Sequence, residues 1–134
     1  MLVSIDAGAE VNGYHADAAR TFYVGEPPPE VAAFIDTTRL ALMAGIMAAV
    51  PGARIGDISA AIEDVARGAG YGIVRECVGH GIGTRMHEPP DVPNYRTGGR
   101  GLELVPGICL AIEPMLTMGS PEVWLRPDGW TIAT

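Results

Sequence analysis

Cysteine is scarce: Cys77 and Cys109 are the only two in 134 residues, too few for a disulfide framework. Positive charge is scarce too. Nine Lys and Arg face sixteen Asp and Glu, for a formal net charge of −7, which argues against a phosphate-binding face and against nucleic acid as a partner. No uninterrupted membrane-length apolar run occurs. The most apolar window, residues 31–50, carries Asp36 and Arg39 near its middle, so it reads as the buried helix of a soluble protein with no membrane partner. No charged-then-apolar leader precedes the first strand, and the expected setting is a reduced cytoplasm. Internal repeats, charge runs, low-complexity segments and a linker that would split the chain are all missing.

What remains is 48% hydrophobic and 19% charged, the balance of one compact unit with a real core. The stretch "LVSIDAGAEV" alternates, with Val3, Ile5, Ala7, Ala9 and Val11 on one side and Ser4, Asp6, Gly8 and Glu10 on the other, which predicts a half-buried strand. Asn12-Gly13 is the strongest two-residue hairpin signal. "YHADAARTFYV" follows as the partner strand, so a hairpin is expected over 2–24. The prolines of "GEPPPE" set the entry to a helix from about Pro29 to Val50, with Val31, Phe34, Ile35, Leu42 and Ile46 near one side. Ile58, Ile62, Val65 and Ala69 predict a second amphipathic helix that stops at Gly68 and Gly70. Short strands and glycine loops fill the remainder. Because strands open and close the chain so near its ends, and a long open strand edge invites aggregation, a piece of something larger is expected.

With Asn12 and Gly13 central in the turn, cross-strand partners sum to 25, so Asp6 faces Ala19 and Asp17 faces Gly8. Both acids then project from the same non-apolar face, roughly 7–8 Å apart at the backbone. Two carboxylates converging there repel unless a cation or a shared proton lies between them; otherwise they are ordinary surface acids. Gly79, Gly81 and Gly83 surround His80, letting its backbone take unusual dihedrals and pass close to a partner. That suits an imidazole ligand, although a hydrogen-bonded core histidine is the plainer reading. His87 precedes Glu88-Pro89-Pro90, whose fixed dihedrals stiffen the loop. Glu113 sits in "CLAIEP", opposite Leu110 and Ile112 and held extended by Pro114. Three carboxylates and one imidazole make an oxygen-rich site suited to manganese, iron(II), cobalt or a pair of such ions, able to activate water and polarise a carbonyl.

These motifs, "VSIDAGAEVNGYHADAARTFYVG", "GHGIGTRMHEPPDVPNY", "LVPGICLAIEPM" and "DGWT", resemble in order and spacing the type I methionine aminopeptidases of peptidase family M24. The resemblance covers essentially the whole chain. It implies an α+β, pita-bread fold, of which residues 1–134 are a single partial catalytic domain: the C-terminal half, an antiparallel sheet covered by two helices on one face, without the N-terminal half and the final strands. It implies two divalent metal ions (cobalt, manganese, iron(II) or zinc), with Asp6 on one, Asp17 bridging both, and His80 and Glu113 on the other. Glu113 is also implied as the proton acceptor and His87 as the histidine that touches the substrate. Met86 and Trp130 are implied to line the methionine pocket. The expected activity is metal-dependent removal of N-terminal methionine from new polypeptides. A fifth ligand, a glutamate beyond "DGWT", lies outside this chain, so weak metal binding and little turnover are expected of the chain alone. A complementing chain or a homodimer would be the further partner. The alternatives are a non-catalytic peptide-binding module of the same fold and a prolidase-type peptidase cleaving before proline.

Overall fold

The computed structural model describes all 134 residues. The chain opens with the hairpin of β1 (Leu2–Val11) and β2 (Tyr14–Tyr23). Asn12 (φ 53) and Gly13 (φ 80) take the positive-φ turn whose twist matches the flanking strands. The register runs as alternation predicts: Asp6 opposite Ala19, Gly8 opposite Asp17, and Ser4 opposite Thr21, the last pair joined by a 2.8 Å hydroxyl–hydroxyl hydrogen bond. The hairpin is not half-buried, however. Ile5, Val11 and Tyr14 on its apolar side are 56%, 68% and 66% exposed, so the helices expected to cover that side do not.

Helix α1 (Pro29–Ala48) starts on Pro28-Pro29, where a missing N–H costs nothing. Val31, Phe34, Ile35, Ala41, Leu42 and Gly45 form its inner stripe, whereas Ile46, placed there by periodicity, faces out with Leu40, Met43 and Met47. The expectation of a buried helix is therefore corrected: only Ala41 and Gly45 are fully buried. By length and composition α1 is long and apolar enough to cross a membrane. Its contact with the rest of the fold runs through small residues. A β-carbon at Gly45 would stand 2.9 Å from Ile62 and 3.3 Å from Ile112.

Helix α2 (Ile55–Gly68) begins where Asp57 Oδ2 accepts the Arg54 backbone N–H at 2.8 Å, a side chain reaching back to close the helix start. It ends at Gly68, and Gly70 just beyond takes φ +77. Ile55, Ile58, Ser59, Ile62, Glu63 and Ala66 form its buried stripe, one step round from the expected Val65 and Ala69. Ile55, Ile58 and Ile62 meet Ala41, Val92 and Leu104 in the main core.

The remaining strands are short: β3 (Gly72–Ile73), β4 (Gly79–Gly81), β5 (Glu88–Val92), β6 (Leu110–Ala111), β7 (Leu116–Thr117), β8 (Trp124–Leu125) and β9 (Ile132–Ala133). They do not form one continuous sheet with the hairpin. Four small antiparallel sheets result: β1-β2, β3-β7, β5-β4-β6 and β8-β9. The three-stranded sheet matters most, because its central strand carries His80.

Candidate metal centre

His80 sits mid-strand in β4, between Asp91 of β5 and Ala111 of β6. The glycines around it serve close approach rather than unusual dihedrals: none of the three has positive φ. A β-carbon at Gly79 would run into the Ala111 carbonyl oxygen and one at Gly81 into that of Pro89. The neighbouring strands can therefore close tightly on both sides of the histidine.

The His80 side chain is only 8% exposed. Its Nδ1 lies 2.8 Å from the Gly81 carbonyl oxygen. That oxygen can only accept, so Nδ1 donates its proton there and Nε2 is the nitrogen left to face the site. Nε2 lies 3.3 Å from Glu113 Oε1 and 3.6 Å from Asp17 Oδ2. A lone pair facing two carboxylates is unfavourable unless a proton or a cation lies between them. These distances suit ligands of one ion: donors about 2.0–2.2 Å from a metal, set at right to tetrahedral angles, stand roughly 3.0–3.5 Å apart. Fixing the tautomer through the other ring nitrogen is also how metal-binding histidines are held. The donor set fits divalent ions. As the side chains stand, they are not drawn into a closed group of three ligands.

Glu113 lies two residues beyond the β6 ladder, one-third exposed at its side chain. Burial pushes its carboxyl above the ordinary range; His80 and His87 oppose the rise, and the charges of Asp17 and Asp6 add to it. Asp17 reaches His80 from the hairpin. Asp6, placed beside it by the register, makes no ion-pair contact with the imidazole; its charge is felt at Glu113. The structure thus brings together Asp17, His80 and Glu113, with Asp6 at the margin.

His87 stands with its ring centroid 4.2 Å from that of His80, the planes tilted by 50°. Just past it, Glu88 Oε1 accepts the Arg85 backbone N–H at 2.7 Å and the Thr84 hydroxyl at 3.0 Å. The Arg85 N–H above all holds the Glu88 carboxyl below its usual range. Met86 lays its terminal methyl over Gly8, beside Asp17 in the hairpin register. Trp130 does not join this group. It is 87% exposed, in a turn where Asp128 Oδ1 accepts its backbone N–H at 3.0 Å, so its ring walls no pocket.

Two positions that sequence reasoning missed complete the surroundings. The His15 backbone N–H donates to the Gly83 carbonyl at 2.8 Å, tying the hairpin to the loop between His80 and His87. Asn94, fully buried, donates through Nδ2 to the Glu113 carbonyl at 3.0 Å. Both pair with a backbone oxygen, and nothing in residue type or spacing signals that.

The profile of metallopeptidase family M24 matches residues 1–133. A methionine aminopeptidase of Clostridium acetobutylicum is 48% identical over 133 residues, 99% of this chain and 53% of its own length. Methionine aminopeptidase 1 of Bacillus subtilis is 41% identical over 133 residues, again 99% of this chain and 54% of its own. Among solved structures, the methionine aminopeptidase of Thermotoga maritima superposes with a TM-score of 0.95 at 41% identity, over 99% of this chain and 53% of that one. A prolidase from Pyrococcus furiosus gives 0.75 at 31% identity, over 84% and 33%. The chain spans about half the length of the curated relatives it matches.

Proposed function

This chain belongs to metallopeptidase family M24, and from that premise we propose that its site serves the removal of an N-terminal methionine from a polypeptide. The curated relatives named methionine aminopeptidase support this substrate class over cleavage before proline. The observation that carries the reading is the placement of His80 Nε2 between the Asp17 and Glu113 carboxylates.

The family implies divalent metal. Two ions is our reading, with manganese, cobalt, iron(II) and zinc all compatible with an oxygen-rich donor set. Asp6 and Asp17 would hold one and Asp17, His80 and Glu113 the other. When bound, the ions supply Lewis-acid polarisation of a carbonyl and water that ionises near neutral pH. The chain's own residues do the rest. Glu113, beside the attacking water, takes its proton. His87, packed at a tilt against His80, donates a ring N–H to the carbonyl oxygen as negative charge develops there. Met86, seated against Gly8, supplies an adaptable thioether surface beside the acids for a methionine side chain. Trp130 completes such a pocket only if its turn is carried onto the site.

N-terminal methionine peptides are thus the proposed substrates. A complementing chain or a second copy of this chain is the proposed further partner, supported by the apolar side chains left exposed on the hairpin and α1. A reduced cytoplasmic setting accords with both cysteines being free. Calorimetric titration of the metal-free chain with Mn²⁺, beside Asp17→Ala, tests the site. One or two bound ions, lost in the variant, are expected; a folded chain that binds none refutes it. Peptides beginning Met-Ala, set against Xaa-Pro dipeptides, then decide between aminopeptidase and prolidase chemistry.

A further inference from the structure

The β4–β5 ladder ends at Gly79, paired with Val92, and the β4–β6 ladder ends at His80, paired with Ala111. Both flanking strands run on past those points in the same direction: Asn94 lies two residues beyond Val92 of β5, and Glu113 two beyond Ala111 of β6. A carbonyl leaving a ladder in a partly buried place needs a new donor. For Glu113 that donor is a side chain from the opposite flank of the sheet, the Asn94 amide, at 3.0 Å.

We propose that Asn94 is a positioning residue for Glu113: its amide straps the two outer strands together past the end of β4 and so sets where the Glu113 carboxylate meets His80. Three observations converge. Asn94 is 0% exposed, so its side chain cannot swing away. Its orientation is unambiguous, because a carbonyl partner accepts only from Nδ2. And its Oδ1 is buried without a partner, a cost that an apolar residue here would not incur and that the bond to Glu113 offsets. The strapped carbonyl belongs to the same residue whose Oε1 lies 3.3 Å from His80 Nε2. Moving that backbone by a few tenths of an ångström moves the carboxylate with it.

This inference rests on reading Asp17, His80 and Glu113 as a ligand group, and its test separates the two. Asn94→Ala, Glu113→Gln and the double variant are compared in the full chain by two readouts: the His80 ring-nitrogen NMR resonances of the metal-free protein at one fixed pH, and Mn²⁺ affinity by calorimetry. Asn94→Ala is expected to move the His80 Nε2 resonance in the same direction as Glu113→Gln. It is also expected to weaken Mn²⁺ about ten- to a hundredfold, with neither effect growing in the double variant. An unmoved His80 resonance, or effects that add in full, overturns the proposal. Should Asn94→Ala not fold, Asn94→Ser, which keeps a hydroxyl donor, is carried through the same cycle with smaller expected effects. Failure of both to fold also overturns it, because the amide would then be holding the core and not Glu113. A wild-type chain that binds no Mn²⁺ sinks the ligand reading alone, and the His80 resonance still decides the role of Asn94.

Discussion

Gly79 shows how one missing atom sets the site. Its place beside His80 is occupied by the Ala111 carbonyl oxygen and, 3.2 Å from where a β-carbon would stand, by Val92. Neither neighbour is the free end of a flexible side chain. Gly79→Ala is therefore expected to push β5 and β6 off the central strand, costing about 1–3 kcal/mol in urea unfolding and displacing Glu113 from His80. A variant as stable as the parent would show that the strands have slack that these contacts do not suggest. The histidine and its glycines were legible as a pattern, but the reason for the glycines was not. Periodicity speaks of dihedrals and faces, whereas the approach of Ala111 depends on a strand thirty residues away. Asp17 and Glu113 both stand within 3.6 Å of His80 Nε2, a grouping that the family resemblance implies and that spacing alone does not give. Trp130, placed with them by resemblance alone, stands in solvent.

At the scale of elements, the strongest local signals translated directly. Asn12-Gly13 made its turn, and the register that followed placed Asp6 and Asp17 on one face. Helix ends followed their prolines and glycines. Burial was read less well. Alternation in β1 does mark an apolar side, yet no element of this chain covers it, and α1 likewise turns Leu40, Met43 and Met47 outward. A pattern reports which side a strand or helix would bury, not whether a partner is there to bury it. The packing that does exist is concentrated in α2. Ile62 is fully buried and lies against the space left by Gly45, so Ile62→Ala is expected to lower stability by about 2–5 kcal/mol and to loosen α1 from α2. Denaturation followed by circular dichroism checks this; a loss below about 1 kcal/mol would place the core elsewhere.

Across the whole molecule, one ion network ties α2 to the loop after β5. Glu63 Oε2 accepts the Arg96 backbone N–H at 3.0 Å and its guanidinium at 3.0 Å, Arg67 pairs with the other oxygen at 2.8 Å, and Arg96 reaches Asp64 at 2.7 Å. Burial is the largest single influence on Glu63 and pushes its carboxyl up. The bonds from Arg96, with Arg67, outweigh it, and the carboxyl ends below its ordinary 4.5. A lowered carboxyl stabilises the fold above the unfolded value and loses that contribution as pH falls through the folded one. Glu63→Gln is thus expected to cost about 1–2 kcal/mol near pH 7, with the gap from wild type closing as the solution is acidified below about pH 4.5. Equal losses at pH 7 and pH 3 would show that shape and not charge is at stake. Asn94 lies two residues before Arg96, so this network also anchors the segment that straps Glu113.

The hairpin meets the rest of the chain through one backbone hydrogen bond, from His15 to Gly83, and through what Asp17 and Met86 touch. The two acids of the hairpin and the pair at the three-stranded sheet therefore ride on different parts of the fold, joined by a thin seam. Breathing at that seam requires no unfolding of the core. An ion held by both parts would act as the clasp that closes it, and the lifetime of the bound ion would be governed by the rate at which the seam opens.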